Sequence, residues 1–198
     1  ADNLRERPGC THKFAPGPQI IHSFTMLQPV NIVLTAKLNY EFNLATLATT
    51  MSNIVYNPRV FSAAILKSRK ISSTCLLFRN GNVVCCGART EVMARRSVRK
   101  WGRMIQKLGH KVRLSHVKLQ TMTLTYSIGR RISLIDFCAL QECVSYEQEI
   151  FPAAMVKMCN MNFAIFGSGK VIISGVKVIK DAESTFLPIL LNMQLSGV

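Results

Sequence analysis

The chain contains Phe78-Arg79-Asn80-Gly81-Asn82-Val83-Val84-Cys85-Cys86-Gly87 and repeats this pattern, 88 residues later, as Phe166-Gly167-Ser168-Gly169-Lys170-Val171-Ile172-Ile173-Ser174-Gly175. In the same order and at nearly the same spacing, residues 56–61 (YNPRVF) are echoed by residues 146–151 (YEQEIF). A unit of this length that occurs only twice is not a solenoid, whose units are about 20–50 residues long and need three or more copies. The repeat therefore predicts one compact domain with internal pseudo-twofold symmetry, which suits a nearly twofold partner such as duplex DNA.

Composition and charge restrict the classes of function. The 198 residues include 25 Lys and Arg against 10 Asp and Glu, a formal net charge of +15, and 48% of them are hydrophobic. This balance indicates a globular protein with a polyanionic partner, most often nucleic acid and less often an acidic membrane surface. A membrane-spanning segment is not expected, because no apolar run approaches the roughly 20 residues that span a bilayer. Of the two polyanions we expect nucleic acid and not a membrane. The charged N-terminus does not resemble a secretory signal, so we expect a nuclear or cytosolic protein.

No metal, cofactor or catalytic site is predicted. The seven cysteines form no CxxC pair and the four histidines are scattered, which argues against metal ligands and a disulfide framework. No phosphate-binding loop, paired carboxylates or nucleophile–base motif is evident, so we do not expect an enzyme. Five cysteines in apolar stretches are interpreted as small core hydrophobes, namely Cys75, Cys85, Cys86, Cys138 and Cys159.

Hydrophobic periodicity predicts that each half has the order strand, helix, three strands, helix. The strands are predicted over residues 30–38, 61–67, 73–78, 83–88, 117–126, 151–158, 162–166 and 171–176. The helices are predicted over residues 43–51, 90–108, 134–143 and 181–191. We expect Asn43 to cap the first helix, Asn80-Gly81 to form a tight turn and Gly109 to end the second helix. The buried face of that second helix is predicted to carry Val98, Trp101, Ile105 and Leu108.

The chain is predicted to divide into a tail and two repeats. Residues 1–28 contain several Pro and Gly residues without a periodic pattern, which is typical of a flexible tail. The remainder divides at about residue 115, so that residues 29–115 and 116–198 form repeat 1 and repeat 2 of one intact domain.

Specific motifs follow one another in a recognisable order. The first half contains Asn31-Ile32-Val33, Tyr56-Asn57-Pro58-x-x-Phe61, Phe78-x-x-Gly81, Cys85-x-Gly87-Ala88 and Gln106-Lys107-Leu108-Gly109. The second half contains Ser145-Tyr146-Glu147-x-Glu149-Ile150-Phe151-Pro152 and Phe166-x-Ser168-Gly169-Lys170-Val171. Over about residues 29–195 this order resembles the conserved core of TATA-box-binding proteins, as in a divergent member or TBP-related factor. The resemblance implies an α+β saddle, a curved ten-stranded antiparallel sheet with four helices on its convex face.

The resemblance further implies that the concave face lies on the DNA minor groove and that four phenylalanines wedge between base pairs. This family is itself the known example of that mechanism. The matching residues are Phe61, Phe78, Phe151 and Phe166. Taken singly, each would more simply be a core aromatic, but matched positions in two repeats of a basic protein favour the wedge. Because Phe151 and Phe166 are two residues closer in sequence than Phe61 and Phe78, we expect a shorter loop between those strands.

Period-two alternation places further side chains on the same side as the wedges. The candidates for minor-groove contact are Asn31, Val33, Leu76, Val84, Cys86, Thr121, Thr123, Ala164, Ile172 and Ser174. Repeat 1 departs from the family pattern only at Cys86, where Thr is usual. Repeat 2 departs from it four times, with Thr121 for Asn, Thr123 for Val, Ala164 for Leu and Ser174 for Thr. A threonine lacks the reach and the two donors of an asparagine amide, so we expect weaker TATA preference, chiefly in the half-site facing repeat 2.

Charged residues define three further candidate surfaces. Phosphate contacts are predicted at Arg59, Lys67, Arg89, Lys157, Lys170 and Lys177. The resemblance implies a stirrup that receives transcription factor IIB at Glu147, Glu149 and Ile150. It also implies a convex surface for transcription factor IIA and negative cofactors at Arg95, Arg99, Lys100, Arg103 and Lys107. Taken singly, a basic residue of these sets would be no more than a solvated side chain.

The function implied by the resemblance is that of a general transcription initiation factor in the nucleus. Such a factor binds and bends promoter DNA through the minor groove and nucleates a preinitiation complex with the RNA polymerase machinery. Two alternatives remain open. One is a basic RNA-binding or ribosomal-type protein, which charge and strand aromatics also support. The other is a partner-holding scaffold that has lost its contact with DNA.

Overall fold

The computed structural model describes residues 27–68 and 71–196 of the chain. Residues 1–26 of the predicted tail lie outside the described residues. The last two residues assigned to the tail belong to the folded part, because Leu27 is buried and the first strand begins at Gln28.

Helices and strands follow the same order in the two halves of the described chain. The first half consists of β1 (Gln28–Lys37), α1 (Leu44–Thr50), β2 (Ile54–Val55), β3 (Ala64–Ser68), β4 (Ile71–Leu77), β5 (Asn82–Ala88) and α2 (Glu91–Lys107). The second half consists of β6 (Ser115–Ser127), α3 (Leu134–Leu140), β7 (Val144–Ser145), β8 (Ala153–Met158), β9 (Met161–Phe166), β10 (Lys170–Val176) and α4 (Ile179–Leu195). The predicted strands and helices are confirmed to within a few residues. The short strands β2 and β7 are additional, because two residues are too few to show a period.

The strands form one antiparallel sheet with mirrored halves. Its order is β2-β3-β4-β5-β1-β6-β10-β9-β8-β7, so the two repeats meet at the central pair β1·β6. In that pair Asn31 lies opposite Thr123 and Val33 opposite Thr121. Register shifts in the pairs β1·β5, β1·β6 and β10·β6 mark bulges, which bend and twist a sheet. The predicted ten-stranded antiparallel sheet with four helices is confirmed.

A single hydrophobic core lies between the sheet and the helices. Its cluster combines strand residues from both repeats, such as Leu34, Leu77 and Ile173, with helix residues from both repeats, such as Trp101 and Phe186. Because successive side chains of a strand point to opposite faces, the alternate residues of these strands remain uncovered by the helices. The fold thus leaves one face of the sheet open.

Helix α2 shows how the sequence sets the bounds of an element. Its N-cap Thr90 accepts a hydrogen bond through Oγ1 from the backbone N–H of Met93 (3.2 Å), and Gly109 follows its last turn with φ +92°. Three of the four residues predicted for its buried face (Val98, Trp101 and Ile105) are at most 1% exposed. The prediction for Leu108 is wrong, because the helix ends at Lys107 and the Leu108 side chain is 43% exposed.

Tight turns hold two of the predicted wedges. In the β4–β5 turn, the N–H of Phe78 donates to the Asn82 carbonyl (2.9 Å) and Gly81 has φ +79°. In the equivalent β9–β10 turn, the N–H of Gly169 donates to the Phe166 carbonyl (2.8 Å), and Gly169 has φ +80°. Both Phe78 and Phe166 are therefore fixed where a strand ends at a glycine turn, as the Asn80-Gly81 signal predicts.

We expect Gly169→Ala to reduce the free energy of unfolding by at least about 3 kcal/mol. An L residue at this φ costs about 1–2 kcal/mol, and the added Cβ would also collide with the Arg130 carbonyl oxygen. The matched control is Gly129→Ala, which has a similar φ of +78° but no atom within 4 Å of its Cβ. Urea denaturation measures both variants, and equal losses would contradict the proposed overlap.

The cysteines differ from the sequence interpretation at two positions, Cys86, which lies on the sheet face that the helices do not cover, and Cys159. Cys75 and Cys85 are buried and lie opposite each other in β4 and β5, while Cys86 and Cys138 are half-buried. The interpretation of Cys159 as a core residue is wrong. It is exposed, because it occupies the two-residue β8–β9 turn with φ +49°, beside Asn160 with φ +61°.

Candidate nucleic-acid interface

The face of the sheet opposite the helices, here called the open face, carries all ten predicted groove residues. Each is half-buried, and each alternates with fully buried residues of its own strand. Cross-strand pairs connect them, since Leu76 lies opposite Val84 and Ala164 lies opposite Ile172. The structure therefore brings these residues together on one surface: Asn31, Val33, Leu76, Val84, Cys86, Thr121, Thr123, Ala164, Ile172 and Ser174.

Two phenylalanine pairs lie at equivalent places in the two repeats. The ring centroids of Phe61 and Phe78 are 6.3 Å apart at an interplanar angle of 66°, and those of Phe151 and Phe166 are 6.0 Å apart at 66°. Phe61 is 42% exposed and Phe151 45% exposed, which is unusual for rings of this size. Each pair therefore combines one exposed ring, Phe61 or Phe151, with one half-buried ring, Phe78 or Phe166.

The shorter sequence interval in repeat 2 does not displace its pair. The hairpins match near the phenylalanines, since Ala64 lies opposite Leu77 in repeat 1 and Ala154 opposite Ile165 in repeat 2. The two-residue difference is therefore accommodated toward the other end of the hairpin, where Met158 pairs with Met161 across a two-residue turn. The β8–β9 hairpin is thus shorter than the β3–β4 hairpin at the end remote from the phenylalanines.

The loops at residues 56–61 and 146–151, here called the stirrups, share one backbone fold. The backbone N–H of Phe61 donates a hydrogen bond to the Asn57 carbonyl, and that of Phe151 donates to the Glu147 carbonyl, each with an N···O distance of 3.0 Å. At the tips, Val60 is 80% exposed and Ile150 is 78% exposed. The charges differ, because the position of Arg59 in the first stirrup is taken by Glu149 in the second. The predicted acidic and apolar set (Glu147, Glu149, Ile150) thus lies together at one stirrup.

Asn31 and Thr121 occupy equivalent positions but have different environments. The Oδ1 of Asn31 accepts a hydrogen bond from the backbone N–H of Gly87 (2.7 Å), and no residue that the structure describes accepts from its two amide N–H donors. The Oγ1 of Thr121 is buried and has no hydrogen-bond partner among the described residues. A buried hydroxyl cannot offer its donor to a ligand on the open face. The central pair of strands is therefore chemically unequal in its two halves.

The remaining differences on the open face are mixed in direction. Leu76 corresponds to Ala164, which is smaller, and Cys86 corresponds to Ser174, which is more polar, whereas Val84 corresponds to Ile172, which is larger. Burial and the charge of Cys85 raise the pKa of the Cys86 thiol, although nearby Lys67 opposes this shift. A raised pKa keeps the Cys86 thiol uncharged at neutral pH.

All six residues predicted to bind phosphate are exposed: Arg59, Lys67, Arg89, Lys157, Lys170 and Lys177. Three lysines alternate with buried residues of β3, β8 and β10 and therefore belong to the open face: Lys67, Lys157 and Lys170. Two pairs are equivalent between the repeats, Lys67 with Lys157 and Arg89 with Lys177. The open face is thus bordered by cations in both halves.

The basic side chains of α2 lie apart from this surface, on the helix-covered side of the sheet. Four of the five are exposed and Arg95 is half-buried, in the set Arg95, Arg99, Lys100, Arg103 and Lys107. Glu91 pairs with Arg95 over 2.6 Å between Oε1 and Nη2, an exposed contact that contributes at most about 1 kcal/mol. Most of the helix charge is therefore available to an external acidic partner.

Sequence reasoning missed part of the open face. Thr35 and Thr125 are half-buried and continue the alternation of their strands. The Nε2 of Gln120 donates to the Oγ1 of Thr35 (2.7 Å), which brings the Gln120 amide onto this face beside the central strands. Extending the period-two pattern by one step in β1 and β6 would have found both threonines. A bulge between Leu119 and Thr121 interrupts the alternation, so the period-two pattern does not predict Gln120 on this face.

Comparison with known proteins accounts for the fold and its repeats. Residues 26–108 and 116–194 match the family model described as transcription factor TFIID, or TATA-binding protein (TBP). This chain belongs to the TATA-binding protein family. It is 36% identical over 189 residues to the TATA box-binding protein-like 2 of Rattus norvegicus, covering 86% of this chain and 55% of that protein. It is 32% identical over 200 residues to the TATA-box-binding protein of Caenorhabditis elegans, covering 94% and 58%.

A solved structure confirms the saddle. The Methanococcus jannaschii TBP matches this TATA-binding protein family member with a TM-score of 0.76 and 28% identity, over 86% of this chain and 99% of that one. The open face is therefore the concave face of the saddle, and the helices cover its convex face. The chain spans about half the length of the curated relatives it matches. At such identities it is a divergent member of the TATA-binding protein family.

Two further observations concern only residues 27–68 and 71–196. None of their helices has the length and apolar character needed to cross a membrane. Their His, Cys, Asp and Glu side chains form no group of three or more that could hold a metal ion.

Proposed function

We propose that this TATA-binding protein family member is a general transcription initiation factor that binds and bends promoter DNA in the nucleus. The observation that carries the proposal is the matched geometry of two phenylalanine pairs, Phe61–Phe78 and Phe151–Phe166, each with one exposed ring, on the concave face of a +15 protein. Bound there, duplex DNA would offer its minor groove to the sheet. The complex would then nucleate the preinitiation complex and recruit the RNA polymerase machinery.

The proposed mechanism uses the stiffness of the wedges. Unstacking one base step costs a few kcal/mol, so the inserted side chain must be flat, apolar and held in place before binding. The stirrup hydrogen bonds hold the backbone of Phe61 and Phe151, and the glycine turns hold that of Phe78 and Phe166. The cation border formed by Lys67, Lys157 and their neighbours would neutralise phosphates as the duplex bends toward the saddle.

The proposed sequence preference is unequal in the two halves. The minor groove of an A·T pair offers only acceptors, adenine N3 and thymine O2, whereas a G·C pair adds the guanine N2 donor. The free amide donors of Asn31 suit the acceptors of an A·T pair. The buried hydroxyl of Thr121 makes no such selection, and the smaller Ala164 leaves room above the groove floor. We therefore propose relaxed TATA specificity at the half-site facing repeat 2.

The proposed protein partners lie on two other surfaces. A transcription factor IIB-like protein would bind the acidic stirrup, where Ile150 is 78% exposed between Glu147, Glu149 and the wedge Phe151. A transcription factor IIA-like protein or a negative cofactor would bind the basic face of α2. The two surfaces are separated, since one lies at a loop beyond β7 and the other on the convex side.

We expect tight binding to a TATA duplex and at least about tenfold weaker binding to single-stranded RNA of the same length. Fluorescence anisotropy over a range of salt concentrations measures both affinities. Replacing Lys67 and Lys157 by Gln should reduce the salt slope of duplex binding by about two, roughly one for each lost phosphate contact. Arg96→Gln with Lys180→Gln removes the same charge from the convex helices and should leave that slope nearly unchanged. Tighter binding to RNA would favour the RNA-binding alternative.

A further inference from the structure

Two cysteines of repeat 1 face each other inside the core. Cys75 of β4 and Cys85 of β5 lie directly opposite in the antiparallel pair, and both side chains are 0% exposed on the helix-covered side of the sheet. At the same places of repeat 2, 88 positions later, Phe163 and Ile173 lie opposite each other. The pair of thiols is therefore a feature of repeat 1 alone. Neither the proposed DNA contacts nor the proposed partner surfaces use it.

Directly opposite residues of an antiparallel pair have the geometry that a disulfide bond needs. Their Cα atoms are about 4.5–5.5 Å apart, and a disulfide accepts Cα separations of about 4.4–6.8 Å. The pairing of β4 with β5 is regular from Thr74 to Leu77, without a register shift. A bond between Cys75 and Cys85 thus requires no rearrangement of the backbone. Both are free thiols in this structure.

The two thiols differ in reactivity because their hydrogen bonds differ. The hydrogen bond from the Cys75 thiol lowers the pKa of the Cys85 thiol to about 7, although burial opposes this shift. The same contact and burial raise the pKa of the Cys75 thiol. The Cys85 sulfur also lies 3.4 Å from the Oγ of Ser73, whose hydroxyl can rotate to donate to a thiolate. Of the two sulfurs, that of Cys85 is therefore the nucleophile.

We propose that Cys75 and Cys85 form an oxidation site, at which a hydroperoxide converts the two thiols into a disulfide bond between β4 and β5. In the first step the Cys85 thiolate attacks one peroxide oxygen. An S–O bond forms, the O–O bond breaks, and the departing oxygen takes up a proton. In the second step the Cys75 sulfur attacks the sulfenic acid of Cys85. The S–S bond forms, the S–O bond breaks, and hydroxide leaves with the Cys75 proton as water.

The electron balance of this reaction needs no further reagent. The two thiols together lose two electrons and two protons, and the peroxide gains them. With hydrogen peroxide the products are the disulfide and two molecules of water. Because both sulfurs are 0% exposed, the oxidant reaches them when the hairpin opens locally, which favours a reagent hardly larger than water. A thiol reductant reverses the bond by disulfide exchange.

The disulfide would change the shape of the concave face in repeat 1. Opposite Cβ atoms of a sheet are about 4.5–5.5 Å apart, and a disulfide draws them to about 3.5–4.5 Å. Cys75 and Cys85 lie on the convex side, and shortening the convex side of a curved sheet flattens it. The next pair along the strands is Leu76 opposite Val84, which belongs to the proposed groove contacts. This consequence rests on the proposed function, whereas the disulfide itself does not.

Peptide mapping of the full chain tests the disulfide. Trypsin cleaves after Lys70, Arg79 and Arg89, which places Cys75 in residues 71–79 and Cys85 in residues 80–89. The protein carries Cys143→Ser and Cys159→Ser to remove two exposed thiols. It is treated with hydrogen peroxide while folded, then denatured, alkylated and digested. We expect mass spectrometry to find the two peptides joined, and to find them separate after reduction.

Two further variants identify the sulfur in residues 80–89 that forms the bond. Cys85→Ser should abolish the joined peptide, whereas Cys86→Ser should leave it, because Cys86 lies on the opposite face of the sheet. Circular dichroism before treatment establishes that each variant is folded. Separate peptides after peroxide treatment overturn the proposal. So does a joined peptide that persists in Cys85→Ser.

Fluorescence anisotropy with a TATA duplex tests the effect on the concave face. The oxidised protein should bind several-fold less tightly than the reduced protein, and a reductant should restore the affinity. Cys75→Ala cannot form the bond, so peroxide should leave its affinity unchanged. Equal affinities of the oxidised and reduced proteins would overturn the proposed change of shape. A reduced protein that does not bind the duplex would contradict the proposed function, and peptide mapping would still decide the oxidation site.

Discussion

Replacing Phe61 and Phe78 by Ala should weaken duplex binding by about 100-fold and remove most of the bend at the repeat 1 end. Each pair opposes the cost of unstacking one base step, which is a few kcal/mol, and an alanine is too small to hold the step open. A 100-fold loss corresponds to about 2.7 kcal/mol. Anisotropy gives the affinity, and energy transfer between dyes at the ends of the duplex gives the bend.

The repeat provides a matched partner for this experiment. Because the Phe151–Phe166 pair has the same interplanar angle and nearly the same centroid distance, its double replacement should cause a similar loss at the other end. Val92→Ala removes an exposed apolar side chain from the convex face and should change neither quantity. Unchanged promoter occupancy after loss of Phe61 and Phe78 would favour the partner-holding scaffold over a DNA-bending factor.

Restoring the family residues in repeat 2 should increase discrimination between a TATA duplex and a G·C-rich duplex by at least about tenfold. The variant combines Thr121→Asn, Thr123→Val, Ala164→Leu and Ser174→Thr. An asparagine at position 121 could use the N–H of Gly175 as Asn31 uses that of Gly87, which would free its amide donors for base acceptors. A specific base contact is worth about 1–3 kcal/mol of discrimination, so tenfold is a conservative expectation. Competition between the two duplexes for one labelled probe measures the ratio.

The reverse substitution is the control for this second prediction. Asn31→Thr should reduce the discrimination of the wild type, because it gives repeat 1 the residue that repeat 2 already has. The effect should map to the half-site that faces repeat 1. If the wild type already discriminates as strongly as an ordinary family member, and the four-residue variant does no better, the unequal-halves account is wrong.

The repeat and the alternation of side chains made most of the fold predictable. They are properties of whole strands and long helices, so the long strands, α2 and α4 could be located within a few residues. Features set by one or two residues were not predictable in the same way. The strands β2 and β7 are too short to show a period, and Leu108 lies one residue beyond the end of α2.

The sequence could predict which residues lie on the candidate interface. It could not predict the burial or the hydrogen bonds of their side chains. Sequence placed Thr121 opposite the groove, while the structure shows that its hydroxyl is buried without a partner among the described residues. The sequence likewise gave no sign that the Asn31 side-chain oxygen accepts a hydrogen bond from the N–H of Gly87. Such differences depend on contacts between strands that are distant in sequence, which no local pattern encodes.

Chemical footprinting of the minor groove tests the central claim most directly. Dimethyl sulfate methylates adenine N3 in the minor groove and guanine N7 in the major groove of the same duplex. The account predicts that the bound protein protects adenine N3 over the site, most completely in the half facing repeat 1, and leaves guanine N7 reactive. Protection of guanine N7 with adenine N3 still reactive would contradict a concave face seated on the minor groove.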